Sequence, residues 1–146
     1  MTPDALFQIA NPLALLGWIA LIAAPLAPHL TNLIAAVLLP LLLAVAYSAL
    51  ILAHWSGATG GYNSLPDVMA LFTNPHIALA GWVHYLAFDL FVGAWAVRTA
   101  RAEGIHHLLV LPHLVLIFLF GPAGFLTFTA MRAAFRPRTP EDGATA

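Results

Sequence analysis

The 146-residue chain contains no cysteine and no lysine; five arginines face six acids, for a formal net charge of -1. Without cysteine there is no disulfide, thiolate metal site, iron–sulfur ligation or Cys nucleophile. Without a basic stripe there is no surface to neutralise nucleic-acid phosphates, so nucleic acid is not an expected partner. Only 8% of the residues are charged while 62% are hydrophobic, too few charges to cover a soluble surface. Those proportions point to a single domain in lipid.

What is abundant is long apolar runs. Four are evident, about Pro3 to Ala24, Thr31 to Trp55, Pro75 to Arg101 and Ile105 to Arg132. Each is about 22 to 28 residues, enough at about 1.5 Å per residue to cross a hydrocarbon core of about 30 Å. Strands of about 10 alternating residues, which a membrane barrel needs, are absent. The expected fold is therefore all-α, with four transmembrane helices carrying proline kinks and membrane lipids as surroundings. The first run lacks a basic flank and a cleavage boundary, so it reads as a retained helix.

Local signals set the ends. Thr2-Pro3 and Asn74-Pro75 each place a capping side chain before a proline suited to the first helical position. Ser64-Leu65-Pro66-Asp67 reads as the cap of a short interfacial helix through Phe72, between the second and third spans. The domain is expected to cover residues 1–135, and the polar, proline-rich stretch 136–146 reads as a disordered tail. Pro12, Pro40, Pro112 and Pro122 interrupt the first, second and fourth helices, leaving the third as the rigid rail. If all four segments cross, Arg98 and Arg101 lie at one side, with Arg132, Arg136, Arg138 and both termini at the other. The count then weakly favours cytoplasmic termini.

The third helix also holds the most polar residues. Counting along the helices puts His84 about 13 Å deep and Asp89 about 21 Å. Asn11, Tyr47, Ser48 and Thr127 count to about 10 to 13 Å, so every helix would contribute to one polar layer with a pocket opening on the side of the termini. Beyond it, Gly121-Pro122-Ala123-Gly124 breaks the fourth helix and frees backbone groups. The alternative is that Asn11, Ser48 and Thr127 bond their own helices, Tyr47 packs in the core, and His84 is a neutral interhelical partner.

Asp89 is the residue hardest to read as structural. An ionised acid is costly at mid-membrane, and the nearest arginine is about 14 Å away along the axis. The neutral acid can donate to a ligand oxygen. His84 and Asp89, five apart, differ by about 140° around the helix and cannot chelate one ion from one face, so neither metal nor another cofactor is expected. Most of the seven histidines sit at helix ends. His113 is the one that could approach Asp89 from the fourth helix. Trp82 and Tyr85 share the Asp89 face and suit the lining of an apolar ligand channel. Arg98 and Arg101 read as interface anchors or an anionic head-group site.

The stretches Gly61-Tyr62-Asn63-Ser64-Leu65, Leu71-Phe72, Trp82-Val83-His84-Tyr85-Leu86-Ala87-Phe88-Asp89-Leu90-Phe91 and Phe118-Leu119-Phe120-Gly121-Pro122-Ala123-Gly124 resemble the small membrane proteins named for plant abscisic-acid deficiency, which include neoxanthin synthase. The resemblance implies four membrane helices and a link to xanthophyll metabolism, as in conversion of violaxanthin to neoxanthin. With no plastid transit peptide in evidence, the chain is similar to a bacterial relative in the plasma membrane, whose substrate does not transfer with the fold. Opening an epoxide to an allenic alcohol needs an acid at oxygen and a base at a carbon-bound proton, without a redox cofactor. The expected catalytic residues are Asp89 as acid and His84 as base. Asn11, Tyr47, Ser48, Trp82, Tyr85, His113 and Thr127 are expected to contact a hydrophobic carotenoid or isoprenoid ligand. A non-catalytic lipid-binding or assembly protein is the competing class; a transporter fits less well, with one mid-membrane acid and no inverted repeat. Four short helices enclose a long ligand poorly, which is compatible with a homodimer.

Overall fold

The computed structural model describes residues 1–135; the expected tail, 136–146, lies outside the described residues. The described residues are all-helical, with four helical segments that by length and composition alone are sufficient to cross a membrane: Pro3–Ile22, Pro28–Gly57, Pro75–Ala102 and His107–Phe135. Helix α1 is Pro3–Ile22. The second apolar helix comprises α2 (Pro28–Thr31), a π-helical stretch Asn32–Leu38, α3 (Leu39–His54) and a closing 3-10 turn Trp55–Gly57. Short α4 is Leu65–Leu71, α5 is Pro75–Ala102 and α6 is His107–Phe135.

The caps form as the residue types dictate. Thr2 accepts from the Ala5 amide at 3.2 Å, and Asn74 accepts from the amides of His76 and Ile77 at 2.9 and 3.4 Å. Ser64 accepts from the Asp67 amide at 3.2 Å and donates to its carboxylate at 2.7 Å, starting α4. Before α4 the chain turns at Gly60, whose φ of +101° and contact with the Asp67 carbonyl exclude a side chain. Pro40 cannot donate an amide hydrogen bond, and the turns before it widen, the Leu39 amide bonding the Ile34 carbonyl five residues back.

α5 is the rail around which the rest is built, 28 residues without an internal proline. Of its most apolar window 56% is buried, against 17 to 28% for the other three, so its neighbours cover it while their outer faces remain open to lipid. α1 runs parallel to α5: Phe7 packs on Trp82, Trp18 lies against Gly93, and the Ile22 carbonyl accepts from His107 Nε2 at 3.1 Å. The second apolar helix runs antiparallel, with Asn32 bonding Arg98, Tyr47 beside His84 and His54 stacked on His76. In lipid, apolar burial does not distinguish a neighbouring helix from an acyl chain, so close approach at small residues holds the helices together. Gly17 receives Leu90 and Gly93 receives Trp18, each too close for an added Cβ.

α6 departs from a straight rod. Phe120 (φ -143°, ψ 34°) and Gly121 (φ 13°, ψ -80°) are non-helical, and the chain turns back there. His113 meets Thr127 at 3.0 Å, Gly124 lies against the Ile117 backbone, and Arg132 bonds Glu103 just past the end of α5. A continuous helix would hold His113 and Thr127 about 21 Å apart. The two arms, 107–119 and 122–135, therefore form a helical hairpin against one half of α5. Along that half, Tyr85 meets Phe118, Asp89 meets Gly121, Trp95 meets Phe125 and Phe128, and Glu103 meets Arg132. Phe135 thus lies at the Ala102 end of the bundle and Pro3 at the Pro75 end. Arg132 groups with Arg98 and Arg101 instead of lying at the other side, which removes the arginine count that favoured cytoplasmic termini.

Candidate functional site

The hairpin tip is chemically determined. Pro122 has no amide hydrogen, so the Phe118 carbonyl four residues earlier has no helical donor. Tyr85 supplies one, its hydroxyl donating to the Phe118 oxygen at 2.9 Å. Four residues along α5, the Asp89 carboxyl packs directly over Gly121, where a Cβ would collide with Oδ1 and lie 3.1 Å from Oδ2. Only glycine lets the tip approach the carboxyl this closely.

Asp89 sits at the middle of α5 and is buried, with Oδ2 enclosed and without a hydrogen-bond partner. Its polar neighbour is Tyr85. Because the Tyr85 hydrogen is committed to Phe118, the hydroxyl's lone pairs remain able to accept from a protonated carboxyl. An uncommitted carboxyl oxygen in such surroundings costs free energy that packing alone does not return, and this marks Asp89 as a functional candidate.

An aromatic row leads to this pair. Tyr85 stacks on Trp82 at 5.3 Å, Trp82 packs on Phe7 at 5.8 Å, and Trp18 meets Phe118 edge-on at 5.4 Å. Asn11 anchors the row, accepting from Trp82 Nε1 at 2.9 Å while its own amide donates to the Phe7 carbonyl. Phe7, Trp82 and Phe118 are substantially exposed at the bundle surface.

The other members of the expected polar layer separate. Tyr47 and His84 meet, with ring centroids 5.5 Å apart, but His84 is exposed, stacked on Phe88 at 4.5 Å, on a different face from Asp89. Ser48 is exposed and donates to the Ala44 carbonyl of its own helix. Thr127, carried by the returning arm, lies toward the opposite end from His84. Its hydroxyl donates to Gly124, so the His113 Nδ1–H is the donor to Thr127, and His113 pairs there rather than with Asp89. A cavity opens at the Ala102 end, whereas at the Pro75 end, where the pocket was expected, Asn11, Trp82, Tyr85 and Phe7 pack on one another. No group of three potential metal ligands occurs among the described residues.

Residues 5–128 match the family model described as ABA DEFICIENT 4-like. The chain belongs to that family. No curated protein and no solved structure gives a significant match. The match to the ABA DEFICIENT 4-like model includes the whole Tyr85, Asp89, Phe118 and Gly121 cluster and extends into the returning arm of the hairpin. The Tyr85–Phe118 bond is the feature that sequence reading missed, although Pro122 four residues after Phe118 signals an orphaned carbonyl.

Proposed function

We propose that this ABA DEFICIENT 4-like chain acts on a carotenoid or related isoprenoid lipid in a bacterial plasma membrane, by acid–base isomerisation centred on Asp89. The observation that carries the reading is the enclosed, partnerless Oδ2 of Asp89 beside Tyr85, at the end of an aromatic row. Family membership supports a relation to xanthophyll chemistry, and the row supplies a surface suited to a polyene.

In an epoxide-to-allene isomerisation, the epoxide C–O bond breaks and its electron pair becomes the alkoxide. A neighbouring C–H bond breaks, and its pair becomes the new C=C bond. The proton gained by oxygen and the proton lost by carbon balance, so no redox partner is required. A protonated Asp89 can give its proton from one oxygen and receive the carbon-bound proton on the other. The base role expected of His84 then falls to the same carboxyl, consistent with His84 lying on a different face. Tyr85, its own hydrogen held by the Phe118 carbonyl, holds the carboxyl by accepting its hydrogen bond. Because Oδ2 is enclosed, substrate contact requires the hairpin tip to shift away from α5.

The test is chromatography with mass detection of organic extracts from a carotenoid-producing host, comparing matched membranes with the wild-type chain or Asp89→Asn. A same-mass isomer formed only by wild type is the expected result. Identical pigments together with stoichiometric copurified carotenoid would replace catalysis with the non-catalytic binding role.

A further inference from the structure

At the Ala102 end of the bundle lies a cavity of about 1090 Å³, more than a helical turn from Asp89 and separate from the aromatic row. Its walls come from the α1–α2 connection, the π-helical stretch, the end of α5 and the α5–α6 connection. Its inner surface is apolar, with Leu21, Ala94 and Val97 of the buried core. Its outer wall carries Arg98, Arg101, His29 and His106, and no carboxylate of the described residues lines it.

Among the described residues no acid pairs with Arg98 or Arg101; the only ion pair joins Arg132 to Glu103. Arg98 is instead held by a neutral acceptor, Asn32 Oδ1 at 3.3 Å, which orients the guanidinium without cancelling its charge. Arg101, three residues on, lines the same cavity. His106 Nδ1 accepts from the Leu108 amide, which places a donating hydrogen on Nε2, whereas His107 is already committed to the Ile22 carbonyl. Guanidinium groups suit phosphate oxygens, which they bind in paired hydrogen bonds, and the site lies where a long apolar helix ends, the level of lipid head groups. Interface anchoring alone does not require two arginines to line one half-open cavity that no described carboxylate shares.

We infer that this cavity is a binding site for a lipid with a net-anionic phosphate head, with Arg98 and Arg101 holding the phosphate and the apolar floor taking the start of the hydrocarbon chain. The site is independent of the reading at Asp89, and its failure would leave that reading intact.

The full chain purified in a neutral detergent is titrated with phosphatidylglycerol, dodecyl phosphate, phosphatidylcholine, dodecanol and inorganic phosphate, with apparent Kd taken from ligand-dependent shifts in unfolding temperature. Wild type is expected to bind phosphatidylglycerol or dodecyl phosphate at least tenfold more tightly than phosphatidylcholine or dodecanol. Preference for phosphatidylglycerol assigns a bilayer phospholipid; preference for dodecyl phosphate assigns a single-chain phosphate ester. The Arg98→Gln/Arg101→Gln pair is expected to weaken that binding at least tenfold, and the Arg98→Lys/Arg101→Lys pair, which keeps the charge, less. Should the glutamine pair not fold, Arg101→Gln alone carries the test, with a smaller loss expected. Equal binding by wild type and the glutamine variants overturns the assignment, as does inorganic phosphate binding as tightly as the lipids, which would mean an ion site without a lipid.

Discussion

His113 and Thr127 stand fourteen residues apart in one apolar segment, yet their side chains meet at 3.0 Å. The contact exists because Phe120 and Gly121 turn the chain, and the turn is stabilised by what α5 offers: a hydroxyl for the orphaned Phe118 carbonyl and a carboxyl that fits over a residue without Cβ. Each arm, about 13 or 14 residues, reaches only about 20 Å, short of a hydrocarbon core of about 30 Å. The tip brings non-helical backbone to the depth of Asp89, where it is tolerated because α5 covers it.

That arrangement predicts a re-entrant hairpin, with Pro3 and Phe135 on opposite sides of the membrane. The chain has no cysteine, so single-cysteine variants report without background. Gly57→Cys, with nothing within 4 Å of an added Cβ, marks the Pro75 end, and Ala134→Cys marks the Ala102 end. An impermeant thiol reagent added to sealed vesicles is expected to label one variant and not the other. With Arg98, Arg101 and Arg132 together, Ala134→Cys is expected on the cytoplasmic side. Labelling of both from the same side would mean that α6 crosses as a straight helix.

Gly121→Ala is expected to destabilise the fold by about 1–3 kcal/mol, because the new methyl group must displace the Asp89 carboxyl or open the tip. Adding Asp89→Ala removes the colliding atoms, so the double variant is expected to recover most of that loss. Equilibrium unfolding in mixed micelles measures the cycle; purely additive effects would contradict the contact.

The spans, the caps and the short α4 are legible in the sequence because each is written in adjacent residues: a proline behind Thr2 or Asn74, Ser64 three places before Asp67, an apolar run of sufficient length. Asp89 was legible for a similar reason, as an acid in the middle of such a run. Depth counting puts Tyr47 level with His84, and the two rings do meet, because such counting works where helices run end to end. It fails for Thr127, since counting from the end of α6 assumes a rod, and the direction of the chain after Gly121 depends on Tyr85 and Asp89 of another helix. Glycine and proline at 121 and 122 announce a break without specifying its angle.

Tyr85→Phe leaves the Phe118 carbonyl without a donor inside the protein while keeping the ring stacked on Trp82. A loss of about 1–3 kcal/mol is expected, the cost of an acceptor left unsatisfied away from water. The same variant removes the hydroxyl beside Asp89 and is expected to lower turnover more than it lowers retention of bound pigment. Thermal unfolding and pigment analysis on the same preparation separate the two effects; unchanged stability would show that water or lipid replaces the bond.

His84 and Asp89 give the sharpest contrast in the candidate site, because they are five residues apart on one helix and face different surroundings. The His84 ring lies between Phe88 and Tyr47 at the bundle surface, while the Asp89 carboxyl is enclosed under the hairpin tip. If one carboxyl both donates and accepts the proton, His84→Gln retains turnover within a few-fold of wild type, whereas Asp89→Asn, which keeps the shape but offers no acid, abolishes it. Isomer yield per mole of protein in matched membranes decides the matter. A His84→Gln loss as deep as that of Asp89→Asn would restore the two-residue acid–base pair and require α5 to rotate, or a second copy of the chain to complete the site.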